Sequence, residues 1–261
     1  MAFGKIHFFA LLGLAVVLAG CLFGPTVSDD PAGGLPIKIL AVGHASLPLK
    51  QMLQSEDFRI KGIQYATDLR QDFIVPGVLD GFDVIILQGS PVCDRTAREV
   101  IADRVKEGGK LIVIGDACTR MNDDPNAIGW SIGNNSLGDV IPVTYRGKLH
   151  TENTNASGNV QASGGKYRIV AVNHPMFNGI YNFSFSGTVT EVLPNANAKV
   201  LAYIDNVGGR SLPPATFGII ESQGVLSGKT IYFSFDPGTT ISGGSRNIVL
   251  NTLLYLKGAK D

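Results

Sequence analysis

Long apolar runs are scarce in this 261-residue chain. After an apolar stretch near the amino terminus, no second window of about 20 apolar residues exists that would span a bilayer as a helix. The rest of the chain is therefore expected to be soluble. Charge is sparse too, at 17% of residues, and it is balanced, with 22 basic and 22 acidic side chains. Without a basic excess there is no broad positive field to hold nucleic acid. Three cysteines and four histidines confine thiol and imidazole chemistry to a few positions. Asp123, Asp124 and Asn126 lack the glycine and closing glutamate of a calcium loop. The segment Gly43-His44-Ala45 lacks the Gly-x-Gly-x-x-Gly spacing that cradles a dinucleotide phosphate. Neither a metal site nor a cofactor is expected.

What is present begins with a targeting segment. Lys5 supplies a positive start, Phe8 to Leu18 an apolar core, and Leu18-Ala19-Gly20-Cys21 a small-residue end. This end resembles a bacterial or archaeal lipobox. The resemblance implies cleavage before Cys21 and a lipid on its sulfur; an ordinary signal peptide or an uncleaved anchor is the alternative. Residues 1–20 are then signal peptide. Residues 21–36 are a tether rich in Pro, Gly, Ser and Asp, which build no core. Acyl chains on Cys21 would hold the protein at the extracytoplasmic face of the cell membrane.

From residue 37 onward strands and helices alternate. Ile37–Gly43 reads as the first strand, and Val84–Leu87 and Leu111–Ile114 are continuously apolar, as expected of strands buried on both faces of a parallel sheet. Leu47–Ser55 and Thr96–Glu107 read as helices, the second with Val100, Ile101, Arg104 and Val105 on one face and Gly108-Gly109 closing it. Arg59–Tyr65 alternates and reads as a further strand. Met121–Ser136, which carries the only tryptophan, and Asn153–Gly165 are polar loops. Later segments, Arg168–Val172, Ser186–Leu193, Lys199–Ile204, Ala215–Glu221 and Lys229–Phe235, read as strands, and Arg246–Leu256 as a closing helix. This order predicts βαβ units with right-handed crossovers. The sequons Asn134-Asn135-Ser136, Asn155-Ala156-Ser157 and Asn182-Phe183-Ser184 are candidate glycosylation sites.

Several of these segments resemble class I glutamine amidotransferase-like domains. Asp83 to Pro91 resembles that family's strand and glycine turn, and Glu107-Gly108-Gly109-Lys110 the approach to its nucleophile elbow. His174-Pro175-Met176-Phe177-Asn178-Gly179-Ile180 resembles a turn of its non-amidotransferase, trehalose-utilisation-type branch. Gly228 to Asp236 and the helix with Asn251 and Leu254 resemble its last strand and helix. The resemblance spans residues 37 to 257 and implies a flavodoxin-like α/β fold: a mostly parallel sheet, helices on both faces and a β-rich carboxyl-terminal half.

Catalytic members of that family carry a cysteine on the elbow and a histidine after the last core strand, which generates the thiolate. Here the elbow reads Gly115-Asp116-Ala117-Cys118-Thr119-Arg120, with the cysteine one position late and no glycine after it. The expected histidine is replaced by Asp236. A carboxylate with a pKa near 4 is no base for a thiol and repels a thiolate. The expectation is a domain without catalysis that binds a small ligand, a glycan or a protein partner at its strand-end edge. That edge comprises His44, Gln88, Gly89, Ser90, Asp116, Thr119 and Asp236. Two alternatives remain open. One is a thiol hydrolase using Cys118 with His44. The other is a structural envelope protein whose edge is filled by the Met121–Ser136 loop and Trp130. Cys93 and Cys118 each follow a buried strand; if the two strands are sheet neighbours, both thiols sit at the same edge, and a disulfide between them is expected in an oxidising compartment.

Overall fold

The structure is a computed structural model that describes residues 36–124, 126–133, 136–148, 165–207, 210–211, 216–223 and 228–258. All of these fall in one compact unit that begins at Pro36. Residues 1–35, which include the signal-peptide segment, Cys21 and all of the tether but Pro36, lie outside the described residues, as do Asn134, His150 and Asn155.

The two unbroken apolar runs, Val84–Leu87 and Leu111–Ile114, form central strands of the sheet. β1 (Ile37–Gly43), β2 (Ile63–Leu69), β3 (Val84–Gln88), β4 (Val92–Cys93), β5 (Lys110–Ile114), β6 (Arg120–Met121) and β7 (Val143–Lys148) make up the first half. The second half contains β8 (Gly165–Ile169), β9 (Ile180–Phe185), β10 (Thr190–Pro194), β11 (Ala198–Val207), β12 (Arg210–Ser211), β13 (Phe217–Ser222), β14 (Lys229–Phe233) and β15 (Ile241–Gly244). The main sheet runs β15-β9-β8-β11-β13-β14-β5-β3-β1-β2, with β12 paired to β11. Its centre, β2-β1-β3-β5-β14, is parallel throughout. From β13 to β15 the pairing is antiparallel. The parallel part has the flavodoxin strand order, so the chain reverses direction across the sheet at β1/β3, where such folds open a crevice.

Residues alternate strictly between the two faces, as a pleated strand requires. Ile39, Ala41, Val84, Ile86, Ile112, Ile114, Ile231 and Phe233 pack on one face with helices α1 (Leu47–Leu53), α2 (Glu56–Ile60) and α4 (Ile248–Lys257). Leu40, Val42, Ile85, Leu87, Leu111, Val113 and Tyr232 pack on the other with α3 (Arg95–Lys106).

Several elements differ from the sequence reading. The stretch from Arg59 does not begin a strand: Ser55 precedes α2, the helix ends at Lys61, and Gly62 turns the chain with φ +77° into β2. The buried face of α3 is Ala97, Arg98, Ile101, Ala102 and Val105, rotated from the face expected. Ser186–Leu193 is not one strand: β9 stops at Phe185 and β10 begins at Thr190, where it leaves the main sheet to pair with β7.

Candidate functional site

The candidate edge residues lie at or follow the carboxyl ends of β1, β3, β5 and β14, and most are engaged by neighbouring groups. Gln88 is buried, and its Oε1 accepts the backbone N–H of Ser46 at 3.0 Å, while its backbone carbonyl accepts the N–H of His44 at 3.0 Å. Ser46 in turn caps α1 by accepting from Leu49 N. Gly43 and Gly89 have φ of +95° and +92°, and the two turns touch closely: a Cβ on Gly89 would lie 2.3 Å from the carbonyl oxygen of His44. Ser90 Oγ donates to Val92 O at 2.8 Å. Thr119 Oγ1 donates to Asp116 O at 2.8 Å, and the Asp116 carboxylate lies 3.5 Å from Lys148 Nζ. Asp236 Oδ1 accepts from Gly238 N at 2.9 Å and so caps the short turn after β14. His44 and Gly89 are the exposed members of the set.

Cys118 has φ +54°, the left-handed conformation of a sharp elbow and one that costs a non-glycine residue free energy. Its sulfur is bonded to that of Cys93, with the Cα atoms 4.9 Å apart. The bridge sits beside the short β4–β6 pairing, where Cys118 N also donates to Ser90 O at 2.8 Å. The alternative in which Cys118 and His44 act as nucleophile and base needs a free thiol; a sulfur held in a disulfide supplies no thiolate.

Trp130 closes the face behind this turn. It is 1% exposed, its Nε1 donates to Ala117 O at 2.8 Å, and its ring meets Tyr145 and Tyr232 edge-on. Arg98, also 1% exposed, donates through Nη2 to the carbonyls of Gly129 and Trp130 at 2.9 and 2.7 Å. An arginine inside the α3 face thus fixes the loop that carries the tryptophan.

A cleft of about 860 Å³ lies at the opposite end of the sheet, where β5 and β14 begin. Lys110, Lys199, Glu221, Lys229, His174 and Tyr255 line it. Glu221 is the last inward residue of an apolar strand, and its side chain is 5% exposed. Lys229 Nζ lies 3.0 Å from Glu221 Oε1, and the Tyr255 hydroxyl donates to the same oxygen. His174 Nε2 lies 3.3 Å from Glu221 Oε2. Burial alone would raise the Glu221 carboxyl, but the contacts from His174, Tyr255 and Lys229 outweigh it and hold it at about 2. Burial would lower Lys229, but Tyr255 and Glu221 raise it. Lys110 is lowered by burial and by the neighbouring Lys229. His174 Nδ1 accepts from Met176 N at 3.3 Å, which leaves the ring proton on Nε2, facing the carboxylate. The turn that follows is held by Asn251 Nδ2, which donates to Met176 O and Asn178 O at 3.1 and 2.8 Å.

Sequence reasoning placed His174 in a structural turn and passed over this cluster. The available signal was an acid ending the apolar run Phe217–Ser222, together with a lysine opening each of two neighbouring buried strands. Among the described residues no group of three or more His, Cys, Asp or Glu side chains could hold a metal ion. Asp123 of the calcium-loop fragment is paired with Arg95 at 2.9 Å. Asn182 lies exposed in β9, paired with Gly243 of β15. No helix among the described residues is long and apolar enough to cross a membrane.

No family model matches the chain, and no curated protein matches it. Solved structures do. A cytoplasmic protein of Salmonella typhimurium superposes with a TM-score of 0.52 at 17% identity, over 84% of this chain and 99% of its own. A ThuA-like protein from Bacteroides uniformis does so with a TM-score of 0.51 at 14% identity, over 90% and 94%. The chain shares its fold with both proteins. A GH42 β-galactosidase from G. stearothermophilus also matches, with a TM-score of 0.52 at 10% identity, but over only 29% of its chain. At these identities the likeness is one of fold. A ThuA-like protein among the structural neighbours is consistent with the trehalose-utilisation-type resemblance of the sequence, and the likeness assigns no activity.

Proposed function

We propose that the chain is a lipid-anchored, extracytoplasmic binding protein whose ThuA-like domain carries out no thiol chemistry. One observation carries the second half of this reading: the Cys118 sulfur at the elbow is tied to Cys93. Asp236, which stands where the resembled family has its histidine, caps a turn. The first half rests on Leu18-Ala19-Gly20-Cys21. A domain of this kind contributes by binding a small molecule, a glycan or a partner protein, and the tether holds it beside the membrane.

Two measurements test the reading. In the expressed full chain, membrane fractionation should find the protein with the lipid phase and Cys21→Ser should release it. Mass spectrometry without reductant should find Cys93 and Cys118 bridged, and iodoacetamide should leave both unlabelled. Hydrolysis of an amide or ester substrate that Cys118→Ser abolishes would overturn the non-catalytic reading.

A further inference from the structure

The sequon Asn182-Phe183-Ser184 falls in β9, and the function proposed above leaves it unused. Of the three sequons it is the one whose asparagine lies among the described residues. A sequon sets an amide and a hydroxyl two positions apart, and an extended strand puts both on one face. Phe183 and Phe185 point into the core, 3% and 2% exposed. Asn182 and Ser184 therefore point the other way, and Asn182 is exposed. An N-linked glycan has to lie outside the fold, and this amide has a path to solvent.

The surroundings of the amide suit something bulky with an apolar side. β15, the strand at the end of the main sheet, pairs with β9 so that Gly243 is the register partner of Asn182 and Ile241 that of Ser184. Register partners on adjacent strands share a face. Gly243 offers no side chain there: a Cβ on it would overlap Asn182 Oδ1 and lie 3.0 Å from Tyr181 Cε2. The amide and the Tyr181 ring are thus neighbours over the bare glycine. Tyr181 and Ile241, 76% and 75% exposed, are the most exposed large apolar side chains among the described residues. They flank the amide along the β9–β15 pair. Apolar surface left in water is unfavourable, and a sugar ring has a face of C–H groups that can cover it while its hydroxyls stay wet.

We propose that Asn182 carries an N-linked glycan whose first sugars lie over Tyr181 and Ile241. The donor is an oligosaccharide carried on a lipid phosphate. In the transfer Asn182 Nδ2 bonds to the anomeric carbon and the anomeric C–O bond to the phosphate breaks. The lipid phosphate leaves with that electron pair, and the amide releases one proton to solvent. The proposal rests on the extracytoplasmic half of the function proposed above, because such glycans are added to exported chains.

The test is mass spectrometry of the full chain purified from its native cells after membrane fractionation. Trypsin cuts after Arg168 and Lys199 and so frees the peptide that holds Asn182. The expected result is a peptide heavier by sugar-residue masses, with fragmentation placing them on Asn182. Asn182→Gln and Ser184→Ala should each abolish the added mass, and Ser184→Thr should keep it. Iodination of Tyr181 should run several-fold slower in the native chain than in Asn182→Gln. Unmodified Asn182, an added mass that survives Asn182→Gln, or equal iodination rates would overturn the proposal. Unmodified Asn182 in a chain recovered with the membrane would sink this inference alone. Unmodified Asn182 in a chain recovered from the cytoplasm would sink the extracytoplasmic reading with it.

Discussion

His174 Nε2 and Glu221 Oε2 face each other at 3.3 Å inside the fold, with less than a tenth of either side chain exposed. A buried carboxylate is tolerated only when partners replace its water, and here an imidazole N–H, a phenol and an ammonium do so.

The stability of the domain should therefore fall in acid over a defined window. The Glu221 carboxyl is depressed from 4.5 to about 2 in the folded state. A depressed carboxyl stabilises the fold above its unfolded pKa, and that stability is lost as pH falls through the folded value. The Glu221 contribution should be complete above pH 4.5 and disappear progressively towards pH 2, with a size on the order of 3 kcal/mol. Urea unfolding at a series of pH values should show this slope in the native chain. Glu221→Gln should be less stable at neutral pH, because Lys229 loses its counter-charge, and should flatten the dependence below pH 4.5.

Reduction should destabilise the domain without unfolding it. The Cys93–Cys118 bridge spans 25 residues, and by loop closure it contributes about 3.5 kcal/mol. Urea midpoints with and without dithiothreitol should differ accordingly, and the Cys93→Ala/Cys118→Ala variant should match the reduced protein and no longer respond to reductant.

The sheet centre was legible in the sequence because Val84–Leu87 and Leu111–Ile114 are short, rich in β-branched residues and offer no polar face to water, which favours a strand buried on both faces over a helix. Boundaries failed where two periods compete. Arg59–Tyr65 mixes apolar and polar residues enough to read as a strand, yet Ile60 ends a helix, and Gly62 turns the chain before Ile63 begins β2. β15 was missed because Ile241-Ser242-Gly243-Gly244 has almost no side chain to betray a strand, and its pairing with β9 is a backbone matter. The strand-end edge was legible as topology, since parallel strands must end together. The cleft was not. Lys110, His174, Lys199, Glu221, Lys229 and Tyr255 are scattered along the chain and converge only through the antiparallel additions of β11 and β13 to β14.

Arg98 and Trp130 should behave as one unit. Arg98→Met keeps an apolar stem but leaves the carbonyls of Gly129 and Trp130 without their donor, at a cost of about 2 kcal/mol. Trp130→Phe removes the donor to Ala117 O and leaves a void against Tyr232, at a cost of about 2–3 kcal/mol. The double variant should cost less than the sum, because each change loosens the same loop. Urea midpoints followed by far-ultraviolet circular dichroism would give all three values. Emission from the single tryptophan should be blue-shifted in the native protein and red-shifted in Arg98→Met if the loop opens.

The two glycine turns at the sheet switch point should be the least forgiving positions of the strand-end edge. Gly43 and Gly89 sit in each other's way: a Cβ at Gly43 would lie 2.2 Å from the carbonyl oxygen of Gln88, and one at Gly89 would lie 2.3 Å from that of His44. Both obstacles are backbone atoms, and the backbone here is held by the His44 N–H to Gln88 O bond and by the Gln88 side chain on Ser46. Neither turn can yield without parting β1 from β3. Alanine at either position also meets a positive φ that L-residues adopt at a cost of about 1–3 kcal/mol. Gly43→Ala and Gly89→Ala should each lose more than that strain alone, through the added clash. Gly81→Ala is the control, since a Cβ there meets nothing within 4 Å. Its melting temperature should stay at the native value, whereas an equal effect at all three positions would show that glycine content, and not the contact between the two turns, sets the stability of this edge.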